Sequence, residues 1–119
     1  MRCFFIISLL FLYFPLLSQN FLNNKKFKLP KGLNEVSGAH FAGPDSLWWL
    51  NDSGNAAALY RTDGEGTLQE AYPVPGSVNR DWESLASAPD GRLFIGDFGN
   101  NANRRQDLCI YILEKGGGL

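Results

Sequence analysis

Acidic and amide side chains recur in this chain at the ends of apolar runs. Glu35 and Glu83 open two such runs, and Asp52 and Asp97 close two others. Asn55, Asn100 and Asn101 follow within a few residues, and Asn79 and Asp81 occupy the connection before Trp82. Carboxylate and amide oxygens that gather without compensating Lys or Arg form a hard-oxygen site. Such a site suits Ca²⁺, which takes about 6–8 oxygen ligands, and suits Mg²⁺ less well. Like charges held together also raise one another's pKa. The competing interpretation is turn chemistry, because Asp and Asn before Gly bond their own backbone; Glu has no such role. The DxDxDG spacing of an EF-hand loop is absent. The metal-ligand candidates are Glu35, Asp52, Glu83 and Asp97, and the ligand-binding candidates around them are Asn55, Asn79, Asp81 and Asn100.

His40 is the only histidine. A general base needs a nucleophile or polarised partner within reach, and Gly38-Ala39-His40-Phe41 supplies none. No Ser occupies a GxSxG elbow, so the sequence assembles no Ser-His-Asp triad. His40 and Asp97 stand as weak catalytic candidates, with a structural place along a strand as the simpler role for His40. Trp48, Trp49 and Trp82 suit either stacking on a sugar or filling space between sheets. Arg104-Arg105 suits either gripping an anion or a solvated turn.

These residues need a scaffold that brings distant turns together. The chain has 119 residues, 45% apolar and 19% charged, which argues for one folded domain or part of one and against disorder. Eleven Lys and Arg against twelve Asp and Glu give a net charge of -1, which excludes nucleic-acid binding driven by bulk charge. Two cysteines exclude a disulfide scaffold and a cysteine zinc site. Cys109, within Leu108–Leu113, is expected to be a small buried hydrophobe.

The first residues look like an address. Arg2 precedes an apolar run from Cys3 to Leu17, and Ser18, Gln19 and Asn20 follow. That order is the pattern of a secretory signal peptide over 1–19, and the run is short for a membrane span of roughly 20 residues. Membrane contact is then transient, and the mature chain is secreted or periplasmic. A polar, basic lead-in covers 20–33, with its lysines expected in solvent.

From residue 34 onward, short apolar runs alternate with Gly, Asn and Asp clusters and show no helical period, which is the strand pattern. The expected strands are 35–42, 47–52, 57–62 and 67–74, then 82–88, 92–97 and 108–113. The sequence also repeats. WWLNDSGN at 48–55 aligns with LFIGDFGN at 93–100, placing Asp52 with Asp97, Gly54 with Gly99 and Asn55 with Asn100 at a common offset of 45. Glu35-Val36-Ser37 resembles Glu83-Ser84-Leu85, and Leu59-Tyr60 resembles Ile110-Tyr111. Four short strands per unit of about 40–50 residues is the mark of a β-propeller blade. The expected fold is therefore all-β, with blade one over about 34–75 and blade two over about 81–119. The fourth strand of blade two is either missing or Gly116–Leu119. A closed propeller needs about four to eight blades, so two blades imply a longer protein, an assembly of copies, or a small open sandwich. In such meanders the candidate carboxylates and amides all fall on one sheet edge.

The stretches EVSG, WLNDSGN, NRDWESLA and LFIGDFGNNANRR, with the following IYIL, resemble a family of secreted bacterial six-bladed propellers related to NHL-repeat, SdiA-regulated and phytase-like esterase propellers. The resemblance covers about 34–113 and about the first third of such a protein. It implies that further blades complete the channel, and that Glu35, Glu83, Asp52 and Asp97 are candidate Ca²⁺ ligands at its mouth. Two functional expectations follow. One is a secreted propeller binding a small molecule, glycan or protein on its channel face. The other is a Ca²⁺-dependent extracytoplasmic hydrolase of ester, lactone or phosphoester type. Fold alone does not choose between them.

Overall fold

The computed structural model describes residues 26–115; the expected signal peptide and the segment Gly116–Leu119 lie outside the described residues. Seven strands form: β1 Val36–Gly43, β2 Ser46–Asn51, β3 Ala58–Asp63, β4 Leu68–Pro73, β5 Trp82–Ser87, β6 Leu93–Asp97 and β7 Cys109–Leu113. Every end lies within one residue of the sequence expectation. The described residues contain no helix, and hence none long and apolar enough to cross a membrane.

The strands pair as two antiparallel meanders. Sheet 1 has the order β1-β2-β3-β4, and sheet 2 the order β5-β6-β7. The turns between strands follow from local chemistry. In the β3–β4 turn, Asp63 Oδ1 accepts from Glu65 N at 2.9 Å and Thr67 N at 2.8 Å, an Asp bonding the backbone ahead of it. In the β5–β6 turn, Asp90 Oδ1 accepts from Arg92 N at 3.1 Å.

The sheets meet face to face. Trp48, Leu50, Leu59 and Val74 from sheet 1 and its end pack with Trp82, Leu85, Leu93 and Ile95 from sheet 2. Each fully buried aliphatic side chain contributes about 1.5–3 kcal/mol by leaving water. The contact runs through β5 against β1 and β2. It is closest at Gly38, where an added Cβ would stand 3.0 Å from the backbone N of Leu85, so a side chain there would push the sheets apart. Ser37 Oγ donates to the Trp82 carbonyl across the same seam. The outer strands diverge, leaving a groove of about 210 Å³ lined by Tyr72, Val74, Tyr111 and Leu113.

The pairing register defines how the two repeats correspond. In sheet 1, Val36 faces Asn51 and Gly38 faces Leu50, with a bulge between. In sheet 2, Trp82 faces Asp97 and Ser84 faces Gly96, again with a bulge between. Asn51 therefore corresponds to Asp97, and Leu50 to Gly96. The sequence motif, aligned on its turn residues, instead pairs Asp52 with Asp97 and is one residue out of the strand register. Burial agrees with the register, since Asn51 and Asp97 are 1% and 0% exposed. The bulge residues Ser37 and Glu83 also correspond, so Glu83 is not the counterpart of Glu35. For the third strands, Leu50 faces Leu59 and Gly96 faces Ile110, which keeps the Leu59–Ile110 match read from the sequence.

The described lysines of the lead-in lie in solvent as expected, and its apolar residues dock: Phe27 meets Trp49 edge-on at 6.3 Å, Leu33 is buried, and Asn51 Nδ2 donates to the Gly32 carbonyl at 2.7 Å. Its apolar residues cover the outer face of sheet 1 while Lys26, Lys28 and Lys31 stay exposed. Cys109 is exposed rather than buried, because it starts β7, beyond which sheet 2 has no further strand among the described residues.

Candidate functional site

The β2–β3 turn, the entry to β5 and the bulge within β5 converge at one sheet edge. There Asp52, Asp81 and Glu83 each bring a carboxylate oxygen to within 4.8 Å of the others, all three half-buried. Glu83 reaches this point because it is the extra residue of the β5 bulge, and a bulge re-aims the side chain it carries.

Backbone bonds fix the other two. Asp52 N donates to the Glu35 carbonyl at 2.7 Å, which extends the β1–β2 ladder by one step. Asn79 ties that turn to the start of β5. Its Nδ2 donates to the carbonyls of Asn51 and Asp52 at 3.0 and 2.9 Å, and its Oδ1 accepts from Trp82 N at 3.1 Å. Asp81 accepts from Gly99 N through its carbonyl at 3.0 Å. Its carboxyl group lies against Gly99, where an added Cβ would stand 2.1 Å from the Asp81 Cγ. A side chain at position 99 would force the Asp81 carboxylate to shift, so the Gly of the turn motif leaves room for the carboxylate beside it.

The electrostatics follow from this crowding. Burial, then the hydrogen bond and charge of Asp52, hold the Asp81 carboxyl above its ordinary pKa of 3.8, against a smaller opposing pull from Arg105. Burial, then the charges of Asp52 and Asp81, raise Glu83 above its ordinary 4.5. Like carboxylates that disfavour one another's ionisation are in the state a bound cation relieves.

The remaining candidates are placed around this cluster. Glu35 is exposed and accepts from Asn55 Nδ2 at 2.8 Å, so these two close the β2–β3 turn beside the cluster. Asp97 is set apart from it: the carboxylate is fully buried and accepts from Asp81 N at 3.0 Å, Arg80 N at 3.3 Å and Arg105 Nη1 at 2.8 Å. It braces the entry to β5 from behind. Asn100 organises the β6–β7 turn by accepting from Arg104 N and Arg105 N at 2.8 and 2.9 Å. Arg105 turns inward to Asp97, Asp107 and the Gly99 carbonyl. His40 lies at the opposite end of the sheets, in a cavity of about 430 Å³ with Trp48, Leu93 and Lys115. The structure thus gathers Asp52 and Glu83 from the metal candidates and Asp81 from the ligand-binding candidates, and leaves Glu35 and Asp97 outside the trio. Sequence reasoning missed the clamp of Asn79 and the inward turn of Arg105. The Asn-Arg-Asp-Trp run before β5 was the available signal for the first.

No family model matches the chain, and neither curated proteins nor solved structures gave a match.

Proposed function

We propose that this chain is part of a secreted, propeller-type β protein that binds a small molecule, glycan or protein at the acidic edge of its sheets. The convergence of Asp52, Asp81 and Glu83 carries this reading. The donor set is all hard oxygen, and the nearest guanidinium is committed to Asp97. It therefore fits Ca²⁺, which accepts mono- or bidentate carboxylates and completes its shell with water or a ligand's oxygens. Asp52, Asp81 and Glu83 would hold the ion, and the ion would supply a positive anchor for an oxygen-bearing ligand. The two sheets, in the same strand order and meeting through their first strands, support the blade reading, in which this edge would lie at the channel face. Terbium luminescence sensitised through Trp82 tests the site. Signal that appears with the wild-type chain, is displaced by Ca²⁺ and is lost in Asp81→Asn supports it; no signal, or an unchanged one in Asp81→Asn, contradicts it.

A second reading is a Ca²⁺-dependent hydrolase of ester, lactone or phosphoester type. It is favoured by the raised Asp81 carboxyl beside Asp52, a pair able to hold and release a proton near a polarised oxygen. His40 takes no part in it, because it lies at the other end of the sheets. Chromogenic esters assayed with and without chelator decide this: hydrolysis that survives chelation and Glu83→Gln ends the second reading.

A further inference from the structure

The end of the sheets opposite the three carboxylates is built from different chemistry. Strand pairing sets His40 of β1, Trp48 of β2 and Arg61 of β3 in one row across sheet 1. Trp48 belongs to the core between the sheets, so this row faces sheet 2. Between it and the β5–β6 turn lies the cavity of about 430 Å³, whose walls include His40, Phe41, Trp48, Leu93 and Lys115. Small-molecule sites have volumes of about 300–1,000 Å³, with mostly apolar walls and a few polar groups. This cavity has both properties.

Its charged and polar side chains favour an anion. No carboxylate lines it among the described residues. The nearby acids are committed elsewhere, Glu70 to Arg61 at 3.2 Å and Asp90 to Arg92 at 2.9 Å. The side chains of His40 and Lys115 have no hydrogen bond or ion pair among the described residues. Lys115 is nevertheless positioned. Gly91, at φ +91°, closes the β5–β6 turn by donating its N–H to the Ala88 carbonyl at 3.0 Å. The lysine stem lies across that bare Cα, where an added Cβ would stand 2.9 Å from Lys115 Cδ. Such a stem packs on the turn while its ammonium stays available. The imidazole offers an N–H in either protonation state.

A lysine ammonium and an imidazole N–H beside a buried indole complement a carboxylate carried on a flat apolar body. We propose that this cavity is a second binding site, for a small aromatic carboxylate, with Lys115 and His40 holding the carboxylate and Trp48 and Leu93 forming the apolar wall. The site lies between the two sheets and not on an outer face, so it is compatible with further blades. It is independent of cation binding at the acidic edge.

The test is titration calorimetry of the full chain with phenylacetate, and with its neutral amide as the control. The expected result is one phenylacetate per chain with Kd at or below about 1 mM, and binding of the amide at least about tenfold weaker. Lys115→Met keeps the stem on Gly91, removes the charge and weakens binding about tenfold. His40→Val weakens it in the same direction, and thermal melts confirm that both variants fold. Asp81→Asn, at the acidic edge, leaves it unchanged, which separates this site from the cation site. Absence of binding up to about 10 mM, equal binding of the amide, or binding unchanged in Lys115→Met overturns the proposal. So does binding that is lost with Asp81→Asn.

Discussion

The Asp97 carboxylate meets Arg105 Nη1 at 2.8 Å with Asp97 fully buried and the arginine side chain 19% exposed. The same carboxylate receives the backbone N–H groups of Arg80 and Asp81, so one side chain joins the end of β6 to the β6–β7 turn and the entry to β5. Removing one partner of a buried charge pair costs about 3–5 kcal/mol, because it strands the other. Asp97→Ala is expected to lose about 3 kcal/mol in denaturant unfolding, somewhat less than a fully dry pair would, since Arg105 keeps Asp107. A loss below about 1 kcal/mol, the range of surface pairs, would show that Asp97 does not brace the site.

Gly99 gives a second, sharper prediction. Because an added Cβ would stand 2.1 Å from Asp81 Cγ, Gly99→Ala forces the carboxylate to move. Overpacking of this kind costs about 1–3 kcal/mol. Gly54→Ala, whose Cβ would meet nothing within 4 Å, is strained only by its backbone φ of +79°. The expected distinction is that Gly99→Ala weakens cation binding whereas Gly54→Ala lowers stability and leaves binding in place, both read from a melt and a titration of the same samples.

The pH dependence follows from the raised carboxyls. Asp81 and Glu83 titrate above their ordinary 3.8 and 4.5, so the folded chain holds more protons than the unfolded chain across that window. Their contribution to stability is therefore greatest at low pH and is lost as pH rises through the raised values. Asp81→Asn and Glu83→Gln should each raise the metal-free Tm at pH 7 by roughly 2–4 °C, the equivalent of about 0.5 kcal/mol of like-charge repulsion. The gain should vanish near pH 3, where wild-type carboxyls are protonated. A variant that lowers Tm at pH 7 would mean that these groups are not in repulsion.

The strands were legible because turn residues bound each apolar run. The β3–β4 turn, for instance, is dictated by Asp63 and its own backbone bonds. The site was legible only in part. Asp52 and Glu83 stand out as carboxylates at strand ends, but composition cannot show that the β5 bulge turns Glu83 toward Asp52, or that Asp97 points inward. The difference arises from a one-residue register step: the turn motif aligns Asp97 with Asp52, while strand pairing aligns it with buried Asn51. Asn51 itself carries a cost invisible in sequence, because its buried Oδ1 finds no hydrogen-bond partner among the described residues. The docking of the lead-in was not legible for a related reason. Its lysines dominate the composition, yet Phe27 and Leu33 decide where it lies.

Calcium titration calorimetry on the chain lacking residues 1–19 tests the central claim most directly. The account predicts one Ca²⁺ per chain with Kd about 0.1–1 mM, the range of extracellular modules. Binding should weaken at least about tenfold, or about 1.4 kcal/mol, in Asp52→Asn, Asp81→Asn and Glu83→Gln alike. His40→Ala should bind as wild type does. Absence of binding at several times the upper Kd, or binding unchanged in all three carboxylate variants, would contradict it.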